Sequence, residues 1–207
     1  VTTASIESIS EITEGRAWFQ LYHPAEERVT KDLLKRAEAA HCPVLVILAD
    51  VPSFGYRPRD IRNGLSMPPK MTVSNILSAM KRPHWALNTL INGQPSFEIL
   101  KPYMQKNLNL NQLAKFMDAT FSGRLNEDKI KRIRDLWKGK LVLKGAESIY
   151  DVEKAYQLGL DGVIISNHGG RQVDVGQATI DSLNTIVPHC RLYTSDAADD
   201  LRCVDLG

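Results

Sequence analysis

Gly162–Asp174 reads GVIISNHGGRQVD, an apolar run followed at once by an imidazole, a glycine pair and a guanidinium. An imidazole takes up and returns a proton near neutral pH, and a guanidinium grips a carboxylate through two parallel hydrogen bonds. His168 and Arg171 therefore pair an acid/base group with an anion clamp. The β-branched run Val163-Ile164-Ile165, bounded by glycine, predicts a buried parallel strand. Both groups then sit at its carboxyl end, where barrel and open α/β folds bind ligands. The competing reading is a strand end whose histidine merely caps a loop.

Three other segments bring polar residues to strand ends. In Ala17-Trp18-Phe19-Gln20-Leu21-Tyr22, period-two alternation puts Trp18, Gln20 and Tyr22 on one face and Phe19 and Leu21 on the other. If helices cover the second face, Gln20 and Tyr22 point into a barrel mouth, where buried polar groups need partners. Tyr22 packed in the core with its hydroxyl on a carbonyl is the alternative. PVLVILAD (43–50) is a second buried strand, ending in Asp50 and followed by Arg57. Leu141-Val142-Leu143 is a third, ending in Lys144-Gly145. A lysine at a buried strand end is costly unless it faces an anion, the alternative being a surface side chain that snorkels to water.

Taken together, SNHGGRQ (166–172) and WFQLY (18–22) resemble the FMN-dependent 2-hydroxy acid oxidoreductases, which include L-lactate and mandelate dehydrogenases and glycolate oxidases. The resemblance runs from Val1 to about Pro188. It implies a (β/α)8 barrel, FMN as cofactor, and oxidation of an L-2-hydroxy acid to the 2-keto acid. It implies that His168 is the catalytic base, oriented by Asp50, with Tyr22, Arg57 and Arg171 holding the substrate. Gln20, Lys144, Ser166 and a hydroxyl at Thr2 (or Thr3 beside it) would contact the flavin. Lys144 would face the N1/C2-carbonyl edge and stabilise the reduced ring. One departure is Leu48, where the family carries a threonine that touches the flavin. The substrate (lactate, glycolate, mandelate or another), the electron acceptor (oxygen, a quinone or a cytochrome) and the order of proton and hydride removal stay open. So do two other functional readings: a different FMN barrel oxidoreductase or isomerase, and an inactive piece of the whole.

The intervening elements alternate as such a barrel requires. Helices are predicted around Ile6–Ile12 and over Ala25–Ala40, the latter with Val29, Leu33, Leu34 and Ala37 on one face. Another starts at Asn126 with Ile130, Ile133, Leu136 and Trp137 buried, and stops at Gly139. Ser148–Leu158 opens on Ser148 and Asp151 in capping-box spacing and ends at Gly159; the last, Thr179–Val187, is halted by Pro188. Residues 57–125 fit the barrel least and read as a long insertion after one strand, with a helix Val73–Met80 capped by Thr72. From Arg57 to Arg124 it holds ten Lys/Arg against three Asp/Glu, interspersed with apolar residues. It resembles the family's active-site lid, which contacts the membrane in mandelate-type members. Peripheral membrane contact is one expectation and a soluble lid the other.

Composition is that of an ordinary globular chain, 43% apolar and 24% charged over 207 residues. A net charge of +2 gives no reason to expect nucleic acid. No stretch of 18 apolar residues and no signal-like start is present, and Cys42, Cys190 and Cys203 lack metal-ligand spacing. A reduced cytoplasmic setting, at most peripheral on the inner face of the membrane, is expected. An eight-fold barrel takes ~250 residues. A chain of 207 whose pattern starts and stops mid-cycle therefore reads as a fragment, lacking first and last barrel strands, of a protein that is homo-oligomeric when intact. Within it, 1–191 form the partial FMN-binding barrel. Residues 192–207 have neither strand nor amphipathic pattern and are given no role.

Overall fold

A computed structural model describes residues 2–51, 61–63, 72–93, 97–104, 110–121, 125–173 and 175–190. Arg57 and the tail 192–207 lie outside the described residues. The chain divides into two compact units, Val1–Ser5 with Tyr56–Ala119 and Ile6–Gly55 with Thr120–Gly207.

The second unit is built on four parallel strands, β1 (Phe19–Leu21), β2 (Val44–Leu48), β3 (Lys140–Ala146) and β4 (Gly162–Ile165), hydrogen-bonded in chain order. Sequential order is that of a (β/α) barrel; doubly wound sheets reverse direction partway. The sheet is a partial (β/α)8 barrel. Every residue of β2 is buried, as its unbroken apolar run predicts.

Helices α1 (Ile6–Thr13) and α2 (Glu27–Ala39) frame β1. Val29, Leu33, Leu34 and Ala37 are buried along α2, and Glu27 pairs with Lys31 at 2.9 Å on its outer side. Between β3 and β4 runs an α-helix, Ile149–Gln157, and after β4 another, Thr179–Cys190. Ala146, Ile165 and Ile186 form a buried cluster with Ile149, Val152, Val163 and Leu183 packed on it, joining these two helices to the outer face of the sheet. The Ser148 hydroxyl accepts from the Asp151 amide at 3.2 Å while Asp151 accepts from Ser148, the reciprocal capping box its spacing predicts. Asn126 caps Glu127–Leu136 through the Lys129 amide at 2.9 Å.

Two helix expectations are corrected. Leu136 is 43% exposed, because Trp137 takes the buried position and donates its indole N–H to the Lys140 carbonyl at 2.9 Å. The helix begun at Thr179 runs through Pro188 to Cys190. A proline in the final turn removes one hydrogen bond without ending the coil.

The first unit contains Val73–Met80, Pro83–Asn92, a 3₁₀ segment Glu98–Tyr103 and most of the helix Leu110–Phe121. Thr72 caps Val73–Met80 by accepting from the Asn75 amide at 3.2 Å. Val73–Met80 and Pro83–Asn92 pack on each other, yet Val73, Ile76, Leu77, Met80, Trp85, Leu87, Leu90 and Ile91 all face solvent.

Candidate active site

The site grows from an irregularity in β3. Leu48 pairs with Lys144, and Lys144 with Ile164, but the next matched pair is Ala146 with Ile165. The extra residue is Gly145, at φ +105°. A Cβ there would stand 2.5 Å from the Asp50 nitrogen and 2.7 Å from its Cβ. Only glycine allows this approach, and it brings the chain after β2 against the end of β3. The Ala49 amide continues the ladder, donating to the Lys144 carbonyl at 2.7 Å.

Asp50 is thereby delivered into a buried cluster. Lys144 Nζ donates to Asp50 Oδ2 at 2.7 Å and to Ser166 Oγ at 2.6 Å. Ser166 donates its hydroxyl proton to the same Oδ2 at 2.6 Å and accepts the His168 amide at 3.1 Å. A hydroxyl has one proton and two lone pairs, so Ser166 is fully engaged. His168 Nδ1 lies 3.6 Å from Asp50 Oδ2, which leaves Nε2 as the ring nitrogen directed elsewhere. Asp50 Oδ1 is buried and has no partner among the described residues. A buried carboxylate oxygen in that condition is expensive and marks a place where something else belongs. Lys144 likewise has three protons and spends two here.

His168 has φ 58°, followed by Gly169 at 62° and Gly170 at 67°. A left-handed histidine is uncommon and costs ~1–2 kcal/mol. The glycine pair continues that left-handed path, and the bond from the His168 amide to Ser166 holds its start.

On β1, Leu21 is buried while Trp18 and Gln20 are exposed on the alternate face. Gln20 pairs in register with Val46, two residues before Leu48, so its side chain shares the face of Lys144. Tyr22 is half-buried with its ring edge-on to Phe121, centroids 6.0 Å apart. Arg171 is exposed, its amide bonded to the His168 carbonyl at 3.2 Å. Thr2 belongs to the first unit, is exposed, and donates to the Ala4 carbonyl at 2.6 Å. Of the sequence-derived residues, Asp50, Lys144, Ser166 and His168 thus converge.

These strand ends sit within a chain that matches the family described as FMN-dependent dehydrogenase over residues 1–196. The chain belongs to that family. Among its relatives is the L-lactate dehydrogenase of Bartonella tribocorum, 36% identical over 187 residues, covering 90% of this chain and 49% of the relative. A solved structure of the monotopic membrane protein (S)-mandelate dehydrogenase superposes with TM-score 0.80 at 30% identity, covering 90% of this chain and 49% of that one. A mandelate oxidase structure gives 0.65 at 27% identity, with 92% and 45% covered. The chain spans about half the length of each protein.

Two residues that shape the site were not singled out from the sequence. Gly145 carried a signal, a glycine inside a strand pattern, which marks a bulge or a close approach. His23, two residues past the end of β1, carries no comparable signal. It is 5% exposed, and its Nε2–H donates to the Leu48 carbonyl, while Nδ1 is buried without a partner among the described residues. Burial pushes its pKa down to about 4, against the raising effect of the Leu48 bond and with a further lowering from Lys129. Lys129 itself, lowered by burial, donates to the Pro24 carbonyl at 2.8 Å.

Proposed function

We propose that the intact protein oxidises an L-2-hydroxy acid, of lactate or mandelate type, to the 2-keto acid with FMN as the immediate electron acceptor. The observation that carries this reading is the convergence of Asp50, Lys144, Ser166 and His168 on adjoining strand ends in a chain of the FMN-dependent dehydrogenase family.

The residues present fit a flavin. Lys144 retains one proton for an acceptor on the ring, and Gln20 offers its amide on the same face. Ser166 serves the cofactor by fixing Lys144, and Thr2 is the proposed hydroxyl contact. When bound, FMN would take up the two electrons and the proton that His168 does not.

Oxidation at the substrate α-carbon releases two electrons and two protons. His168 Nε2 takes one proton, from either the hydroxyl or the α-carbon, and Asp50 faces Nδ1 to stabilise the resulting imidazolium. Arg57 and Arg171 hold the substrate carboxylate, and Tyr22 the hydroxyl or keto oxygen. A positioned base of this kind contributes ~10²–10⁴-fold.

The first unit gives the protein a peripheral membrane surface on the cytoplasmic side. Support comes from eight exposed apolar side chains on Val73–Met80 and Pro83–Asn92, with Lys81 and Arg82 exposed at their junction. Among the described residues no helix is long and apolar enough to cross a membrane, and the related mandelate dehydrogenase is a monotopic membrane protein. The electron acceptor is then a membrane quinone, a cytochrome or oxygen, and the intact protein is a homo-oligomer.

The deciding experiment is anaerobic bleaching of the flavin in the intact protein by a panel of L-2-hydroxy acids. Bleaching by lactate or mandelate with formation of the keto acid is expected. A flavin that stays oxidised with every member overturns the assignment.

A further inference from the structure

We propose that His23 is a positioning residue for the strand-end cluster: its neutral ring clamps the Leu48–Ala49 peptide and so sets where Asp50 stands against Lys144 and His168. The inference rests on the function proposed above, but its first test does not.

The geometry is that of one peptide group held on both sides. Its carbonyl accepts from His23 Nε2–H, and its N–H donates to the Lys144 carbonyl at 2.7 Å. Asp50 is the next residue along. β1 ends at Leu21, and Pro24 has no N–H with which to carry the ladder upward. The imidazole therefore supplies a link from the first strand to the second where the backbone cannot.

The histidine is itself anchored. Lys129 Nζ donates to the Pro24 carbonyl at 2.8 Å, and the Ala25 amide to the Thr120 carbonyl at 2.6 Å. The corner therefore cannot drift without breaking bonds on three sides. Because a carbonyl only accepts, the proton must reside on Nε2, which leaves Nδ1 bare. A protonated ring would bury a second cation beside Lys129. Only the neutral Nε2–H form suits the place.

Three variants separate positioning from bulk. In His23→Gln the amide nitrogen falls near the place of Nε2 and still donates. In His23→Leu the volume is kept and the donor lost, and in His23→Asn the amide stops short. Amide exchange in the whole chain is read at Ala49, with Leu34 in α2 as the reference. Exchange at Ala49 should speed up ~10-fold or more in His23→Leu and stay near wild type in His23→Gln, with Leu34 unchanged in both. Where His23→Leu yields no folded protein, His23→Asn takes its place.

In the flavin-loaded intact protein, kcat should fall ~10-fold or more with KM within ~3-fold, and His23→Gln should restore kcat. Equal exchange at Ala49 in all variants, or parallel loss at Ala49 and Leu34, overturns the proposal. So does a kcat that ignores the donor. Wild-type protein that bleaches with no hydroxy acid defeats the proposed function instead, and the exchange at Ala49 then decides the role of His23 alone.

Discussion

Gly145 and the Asp50 backbone are so close that an added methyl group would stand 2.5 Å from the aspartate nitrogen. With φ at +105°, the glycine meets a conformational and a steric demand at once. Gly145→Ala should lose ~1–3 kcal/mol or more of stability and displace Asp50. Urea unfolding checks the first effect. A fall in flavin reduction rate larger than the fall in flavin affinity checks the second.

Lys144 and Asp50 form a buried pair, and removing one partner strands the other charge. Lys144→Met should cost ~3–5 kcal/mol, whereas Lys144→Met with Asp50→Asn should cost less than the two single changes added together. A double-mutant cycle by denaturation measures the coupling. Additive single changes would show that the pair is not a unit.

His168→Gln should leave FMN binding intact while slowing flavin reduction by ~10²-fold or more. Rapid anaerobic mixing with substrate gives the rate. Reduction at the normal rate would remove His168 from the role of base.

Acid should weaken the fold through His23. Its pKa is about 4 in the folded chain against 6.5 as the ordinary value, so between those values the unfolded state binds more protons. Stability present above pH 6.5 is then lost as pH falls towards 4, by about 3 kcal/mol. Denaturation midpoints across this range should fall in wild type and flatten in His23→Gln.

The apolar surface of the first unit predicts a lipid effect. Replacing Leu90 and Ile91, 82% and 71% exposed, by glutamate should abolish co-sedimentation with anionic vesicles and leave flavin bleaching unchanged. Unaltered sedimentation would assign that face to something other than lipid.

Much of the barrel is legible in single residues. Val44–Leu48 announces a strand buried on both faces, and Ser148 with Asp151 announces a helix start, because each pattern is a local necessity. The cluster of Asp50, Lys144, Ser166 and His168 is legible through SNHGGRQ and through the oddity of a lysine closing an apolar strand. The bulge at Gly145 and the bond from His23 to Leu48 are not, since both depend on which strands become neighbours. Leu136 and Pro188 mislead for a related reason. A helix face is settled by what packs on it, and a proline near the end of a coil has little left to break.

β2 and β3 lie side by side although residues 49–139 intervene, paired in register from Val44 with Lys140 to Leu48 with Lys144. Selection can therefore rewrite much of that excursion, grafting a greasy paddle, a polar segment or a shorter loop, provided Asp50, Arg57 and the helix Glu127–Leu136 with its Lys129 are kept. Where the protein works and the chemistry proposed for its strand ends become separately tunable properties of one gene.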